Sequence, residues 1–233
     1  MEVNIHAGTS TFEIEVPYKI IETGEKGEAK PLIVYLHGYN QNIEYFEKKV
    51  TSLKKIKAYH LFIQGPYPIY DSSRRREVSK WGRAWYLYDG NQTQFIRSME
   101  HASSFIDGIL NKLKPEINST RCCIFGYSMG GYLGGYFAFS RPETISELIV
   151  AGGRIKAESF EGQRERAKHI HILAVHGRED TSVYPQPQIN SIELLQSEGF
   201  KATYTLVDSE HKLTDAYIRE SKMWLLKLGY VEM

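Results

Sequence analysis

The stretch Cys122-Cys123-Ile124-Phe125-Gly126-Tyr127-Ser128-Met129-Gly130-Gly131 is an apolar, β-prone run that stops at a glycine, followed by a serine with glycines two residues before and after it. Residues of helical character follow. Gly-x-Ser-x-Gly alone recurs by chance in a glycine-containing chain, and its weight comes from the strand–turn–helix context. A serine presented on so tight a turn needs a strained backbone. The turn also crowds the positions two before and two after the serine, where Gly126 and Gly130 carry no side chain. The helix that begins there points unpaired N–H groups and its positive dipole end back at the serine. Gly131, Gly134 and Gly135 suit a helix packed tightly on its neighbours.

Outward from this point the pattern repeats. Apolar runs at 32–36, 60–63, 147–151, 171–175 and 202–207 end at His37-Gly38, Gly65-Pro66, Gly152-Gly153, His176-Gly177 and Asp208. Most are nearly continuous rather than alternating, as in strands covered on both faces. Segments of helical period lie between them at about 43–57, 93–113, 129–140, 187–198 and 212–228. The second carries an apolar stripe of Phe95, Met99, Ala102, Phe105, Ile106, Ile109 and Leu110; the last carries Leu213, Ala216, Tyr217, Met223, Trp224 and Leu228. Alternation of this kind predicts an α/β fold, a mostly parallel twisted sheet with helices on both faces, as a single domain over 1–233. The alternating residues 11–16 predict an antiparallel edge strand or hairpin.

Composition narrows the function. Lysine plus arginine is 29 against 28 aspartates and glutamates, a net charge of +1, which argues against a phosphate-neutralising nucleic-acid binder. The basic run Arg74-Arg75-Arg76 reads as a solvated loop tip. Cys122 and Cys123 are neighbours that would point to opposite faces of a strand, so no disulfide framework is expected. The N-terminus has no basic and apolar leader pattern, and no apolar run reaches the roughly 18–20 residues of a membrane span. The expectation is a cytoplasmic protein with no membrane span.

In an open parallel sheet, chemistry gathers at the carboxyl ends of the strands. A serine hydroxyl is a weak nucleophile until a base takes its proton and a third group holds that base. The order on this architecture is serine, acid, histidine. His211, between the last strand and the last helix, is where the base belongs; His176 precedes the favoured acid. Asp180, on the loop after 171–175, is that acid, with Glu179 and Asp208 as alternatives; three residues from His211, Asp208 suits a local turn bond better. The oxyanion would be held by the backbone N–H groups of Met129 and Tyr39, with Gly38 letting that loop turn inward and His37 propping it. His169 and His171 lack the cluster a metal needs, and neither metal nor cofactor is expected.

With these residues in place, the chain resembles the α/β-hydrolase fold and, within it, the phospholipase/carboxylesterase family, which includes acyl-protein thioesterases and small bacterial esterases. The likeness rests on Leu36-His37-Gly38, the Gly126–Gly131 motif, His176-Gly177-x-x-Asp180, the late His211 and the Trp85-Tyr86 pair. It implies Ser128 as nucleophile, Asp180 as orienting acid, His211 as general base, and an oxyanion hole at Tyr39 and Met129. The sequence departs from the family at Tyr39-Asn40-Gln41, which lacks an extra glycine, and at Thr181-Ser182-Val183, where many relatives have Pro-Val.

Residues 152–168 are too few for a lid domain, so an open site is expected. The long stretch 65–92 holds Tyr67, Tyr70, Trp81, Trp85, Tyr86 and Tyr88, which either wall an acyl pocket or form satellite core; Trp85 and Tyr86 are the substrate-binding candidates. The expected function is a serine esterase acting on small-molecule esters, with thioesters also open, through an acyl-enzyme. A peptidase or acyltransferase on the same fold, or a ligand-binding protein without catalysis, are the alternatives.

Overall fold

The computed structural model of the protein describes Gly8, Ser10 and residues 13–233. Seven strands form one sheet: β1 (Tyr18–Glu22), β2 (Lys30–Leu36), β3 (Tyr59–Ile63), β6 (Ser119–Tyr127), β7 (Glu147–Ala151), β8 (His171–Gly177) and β9 (Ala202–Val207). Their order is β1-β3-β2-β6-β7-β8-β9. β1 runs antiparallel to β3, and every other pairing is parallel. Two-residue strands β4 (Tyr67–Pro68) and β5 (Arg83–Ala84) close a small separate hairpin.

Side chains alternate across the central strands and build two cores. Leu32, Val34 and Leu36 of β2 and Cys122 and Ile124 of β6 face one side, which α2 (Gln92–Leu113), α3 (Met129–Ser140) and α4 (Pro185–Ser197) cover. Ile33 and Tyr35, with Cys123, Phe125 and Tyr127, face the other, covered by α1 (Ile43–Lys49) and α5 (Asp215–Lys227). The two cysteines thus lie in opposite cores, both free thiols. The stripe read on α2 is the buried face, with Phe105 half-buried, and Asn91 caps the helix by accepting from the Gln94 N–H at 3.0 Å. The strand order reverses between β2 and β6, so the loops after these two strands diverge and leave a crevice.

Several expectations shift. Thr11 and Phe12 lie outside the described residues, and 13–16 form no strand; the antiparallel edge strand is Tyr18–Glu22, whose pairing with β3 outweighs the stronger alternation upstream. On α5 the buried face is Tyr217, Ile218, Ser221 and Leu225, while Met223 is exposed. Ser221 supports that contact by donating to the Tyr217 carbonyl at 2.8 Å. The helix read at 43–57 is a short α1 continued by a 3₁₀ segment, Thr51–Lys55. Arg74–76 is an exposed loop, and Arg76 pairs with Asp71 at 3.2 Å. Between β7 and β8 stand two single 3₁₀ turns, Ala157–Phe160 and Arg164–Ala167, with no inserted domain. No helix among the described residues is long and apolar enough to cross a membrane.

Candidate active site

Ser128 sits between β6 and α3 with φ 51° and ψ −116°, a sparsely populated conformation that costs on the order of 1–3 kcal/mol. The surroundings hold it there. Its N–H donates to the Ala151 carbonyl at 2.8 Å, and its own carbonyl accepts from the Gly131 and Tyr132 N–H groups at 2.8 and 3.1 Å. The flanking glycines are required by close approach. A Cβ on Gly126 would stand 2.3 Å from the Gly130 oxygen, as the turn predicts. A Cβ on Gly130 would instead strike the end of β2, 2.2 Å from the Leu36 oxygen, so the second glycine serves the crevice rather than the turn itself.

The fold brings Ser128, His211 and Asp180 together. The Ser128 hydroxyl lies 2.9 Å from His211 Nε2, and His211 Nδ1 lies 2.6 Å from Asp180 Oδ2. With Nδ1–H donating to the carboxylate, Nε2 presents its lone pair to the serine. Asp180 is fully buried at its side chain, and its other oxygen accepts from the Ser182 and Val183 N–H groups at 3.0 and 2.8 Å. The loops carrying Asp180 and His211 are joined backbone to backbone. Arg178 N–H donates to the Val207 carbonyl at 2.9 Å and Glu179 N–H to the Ser209 carbonyl at 3.1 Å. The alternative acids lie elsewhere: Glu179 is exposed, and Asp208 pairs with Arg178 at the surface.

Two residues missed by sequence reasoning complete this arrangement. Tyr127, the variable position inside the serine motif, stacks on the His211 ring at 5.7 Å and donates its hydroxyl to the His211 carbonyl at 3.2 Å. Burial and the Asp180 charge push its phenol up to about 12. His176 is buried behind Asp180, with Nε2 2.7 Å from the Val183 carbonyl and 3.4 Å from Asp180 Oδ2. Burial lowers its pKa. Its place in His176-Gly177-x-x-Asp180 was the available signal.

The loop after β2 is braced from beneath. His37 Nδ1–H donates to the Gly38 carbonyl at 2.8 Å, and Nε2 accepts from the Gly65 N–H at 3.0 Å. Burial pushes this imidazole down to about 4, so it is a neutral prop. A Cβ on Gly38 would meet the Tyr127 ring at 2.9 Å, and the left-handed residue of this loop is Asn40, with φ 58°. The Tyr39 and Met129 N–H groups find no acceptor among the described residues. Neither is therefore committed to another bond in the described structure.

Trp85 and Tyr86 part company. Trp85 does not line a pocket: it is fully buried, its ring lies 4.9 Å from that of His37, and its Nε1–H donates to the His37 carbonyl at 2.7 Å. An indole needs such an acceptor when buried, and here the acceptor is the loop it supports. Tyr86 is largely buried against Phe95, yet borders a groove of about 460 Å³. His169 and His171 lie at the amino end of β8, away from the site, with His169 Nε2 3.0 Å from the Pro142 carbonyl.

A mostly parallel sheet with helices on both faces, a crevice at its strand-order reversal and a strained serine after a central strand define an α/β hydrolase. The chain belongs to the phospholipase/carboxylesterase family, whose model matches residues 17–227. Among solved structures, esterase PE8 superposes with a TM-score of 0.75 at 17% identity, covering 92% of this chain and 99% of that one. Zea mays acyl-protein thioesterase 2 gives 0.68 at 19%, covering 91% and 98%. At these identities the likeness is one of fold. Lysophospholipase-like protein 1 of Mus musculus is 22% identical over 138 residues, 57% of this chain and 58% of that protein. The match thus spans less than two thirds of that relative's length.

Proposed function

We propose that the protein is a serine carboxylesterase, hydrolysing esters and open to thioesters of small acyl substrates, with Ser128 as nucleophile, His211 as general base and Asp180 as its orienting acid. The observation that carries this reading is the continuous chain from the Ser128 hydroxyl through His211 to a buried carboxylate, at 2.9 and 2.6 Å. His211 Nε2 takes the hydroxyl proton as Ser128 Oγ bonds to the substrate carbonyl carbon. The resulting oxyanion accepts from the Tyr39 and Met129 N–H groups. The carbon–oxygen or carbon–sulfur bond to the leaving group then breaks, and His211 returns the proton to that atom. Water, deprotonated by the same imidazole, releases the acid and restores the serine.

Asp180 keeps Nδ1 protonated and stabilises the imidazolium formed at each step. Tyr127 and His176 touch no reacting atom; they fix the backbone and the acid loop around it. The family and the fold support a hydrolase of this general kind, and the serine assignment rests on the geometry of the site. The test is labelling with a fluorophosphonate probe beside turnover of a short-chain p-nitrophenyl ester. Ser128→Ala is expected to abolish labelling and lower kcat by about 10⁶-fold. Near-normal turnover in that variant would overturn the assignment.

A further inference from the structure

One groove near the site has a lining whose chemistry the proposed reaction does not use. Tyr86, Tyr88, Phe95 and Tyr132 wall it, with Arg154 and Lys156 beside them, over about 460 Å³. That volume falls within the roughly 300–1,000 Å³ of small-molecule sites. Two of its walls are anchored to the serine turn, although Ser128 itself is not among the lining residues. Tyr132 lies one turn along α3, with its N–H on the Ser128 carbonyl at 3.1 Å. Arg154 follows Gly153, where a Cβ would stand 2.9 Å from that same Ser128 carbonyl oxygen.

The charged groups of this groove, Arg154 and Lys156, are donors; Gln92 also lines it and donates to the Tyr88 hydroxyl at 3.2 Å. No aspartate or glutamate lines it. Burial raises the phenols of Tyr86 and Tyr132 above the usual tyrosine range, and no hydrogen bond to either hydroxyl offsets it. Arg154 gives one Nη–H to Glu158 at 2.8 Å, while its Nε is buried without a partner. The Lys156 ammonium donates to Gln92 Oε1 at 2.7 Å and lies 5.1 Å from the centre of the Phe95 ring, with further N–H groups to give. A buried donor without an acceptor is costly, and Arg154 Nε is one; an apolar stem lying along the rings and ending in an anion suits this combination of rings and cations.

The orientation follows from the proton. The leaving group receives its proton from His211, so it departs on the imidazole side, where a separate cavity is lined by Tyr127, His211, Lys212 and Leu213. That cavity shares no lining residue with the groove.

We propose that the Tyr86–Tyr132–Arg154–Lys156 groove is the acyl subsite and that it selects acyl groups ending in an anion, with monoesters of dicarboxylic acids as the simplest such substrates. This rests on the serine-esterase reading above, and the experiment separates the two. Turnover of 4-methylumbelliferyl hexanoate is compared with that of the 4-methylumbelliferyl monoester of adipic acid, which has the same acyl length and leaving group. The adipate monoester is expected to show a kcat/KM higher by about tenfold, mostly through KM, as one charge-assisted contact allows. Raised salt should shrink that advantage.

Arg154→Gln combined with Lys156→Gln should bring the ratio towards one, with retained fluorophosphonate labelling reporting a folded site. A preference for hexanoate, or a ratio unchanged in the double variant, overturns the anion subsite. Hexanoate turnover that disappears in Ser128→Ala, with no adipate preference, overturns the subsite and leaves the serine assignment standing. Failure of both esters in a chain that still takes the probe overturns the subsite alone. Failure of both esters and the probe overturns both.

Discussion

Two buried polar networks sit at opposite ends of the sheet, and they are built alike except at one point. At the amino ends, Glu147 opens β7 inside the core; it accepts from the Tyr230 hydroxyl at 2.8 Å and pairs with Arg121 at 3.3 Å. Arg121 also donates to the Leu228 carbonyl and lies 3.9 Å from the Tyr230 ring centre. Burial raises the Glu147 carboxyl. At the carboxyl ends, Asp180 is buried too, with donors around it and a histidine as partner. The first network closes on itself and fastens the C-terminal residues to the sheet. The second ends on a serine hydroxyl beside amides with no acceptor. Buried charge alone marks neither structure nor chemistry; the open end does.

His37 teaches the same lesson from within the site. It stands beside the crevice, yet both ring nitrogens are occupied and burial holds its pKa at about 4. His60, on β3 beside β2, is alike, bonded to Tyr35 and Thr23 and lowered to about 4. Nearness to the serine gives His37 no more freedom than His60 has.

The largest effect that sharpens this comparison is at the open network. Asp180→Asn leaves the loop bonds in place but removes the charge that sets the His211 tautomer, and kcat should fall by about 10⁴-fold. A loss under tenfold in ester turnover would put Asp180 among the closed, structural carboxylates. Next comes acid unfolding. His37 and His60 are neutral when folded down to about pH 4, whereas ordinary histidine takes up protons near 6.5. The unfolded chain therefore binds more protons across that window. Stability should fall as pH drops from 6.5 to 4, by on the order of 3 kcal/mol per histidine, and this loss should level off below. Urea midpoints at several pH values measure it; a slope left unchanged in His60→Gln would show that His60 does not contribute. The smallest effect is at the closed network. Tyr230→Phe should cost about 1 kcal/mol of stability and leave ester turnover as it was, so a marked loss of turnover would break the division between the two ends.

The candidate site was legible in sequence because each of its residues comes just past a core strand with a local marker: Gly126 before Ser128, Gly177 before Asp180, Asp208 before His211. A strand ending in glycine and a polar residue is a local signal. What escaped was set by contacts between distant segments. β1 forms where β3 offers an edge, not where alternation is strongest. The two-residue β4 and β5 carry no periodicity. A large ring in a long loop suits a pocket wall and satellite core equally well; for Trp85 only its packing against His37 decides. The chain order puts His176 before the acid, which says nothing about a side chain that backs the acid from behind.

The backbone bonds of Arg178 and Glu179 to the Val207 and Ser209 carbonyls make the acid and the base one jaw rather than two fingers. Tyr127, the last residue of β6, grips that jaw by its hydroxyl on the His211 carbonyl, so the same short segment that presents Ser128 also holds the histidine loop. A substitution that loosens β8 or β9 is therefore expected to shift Asp180 and His211 as a pair rather than one at a time.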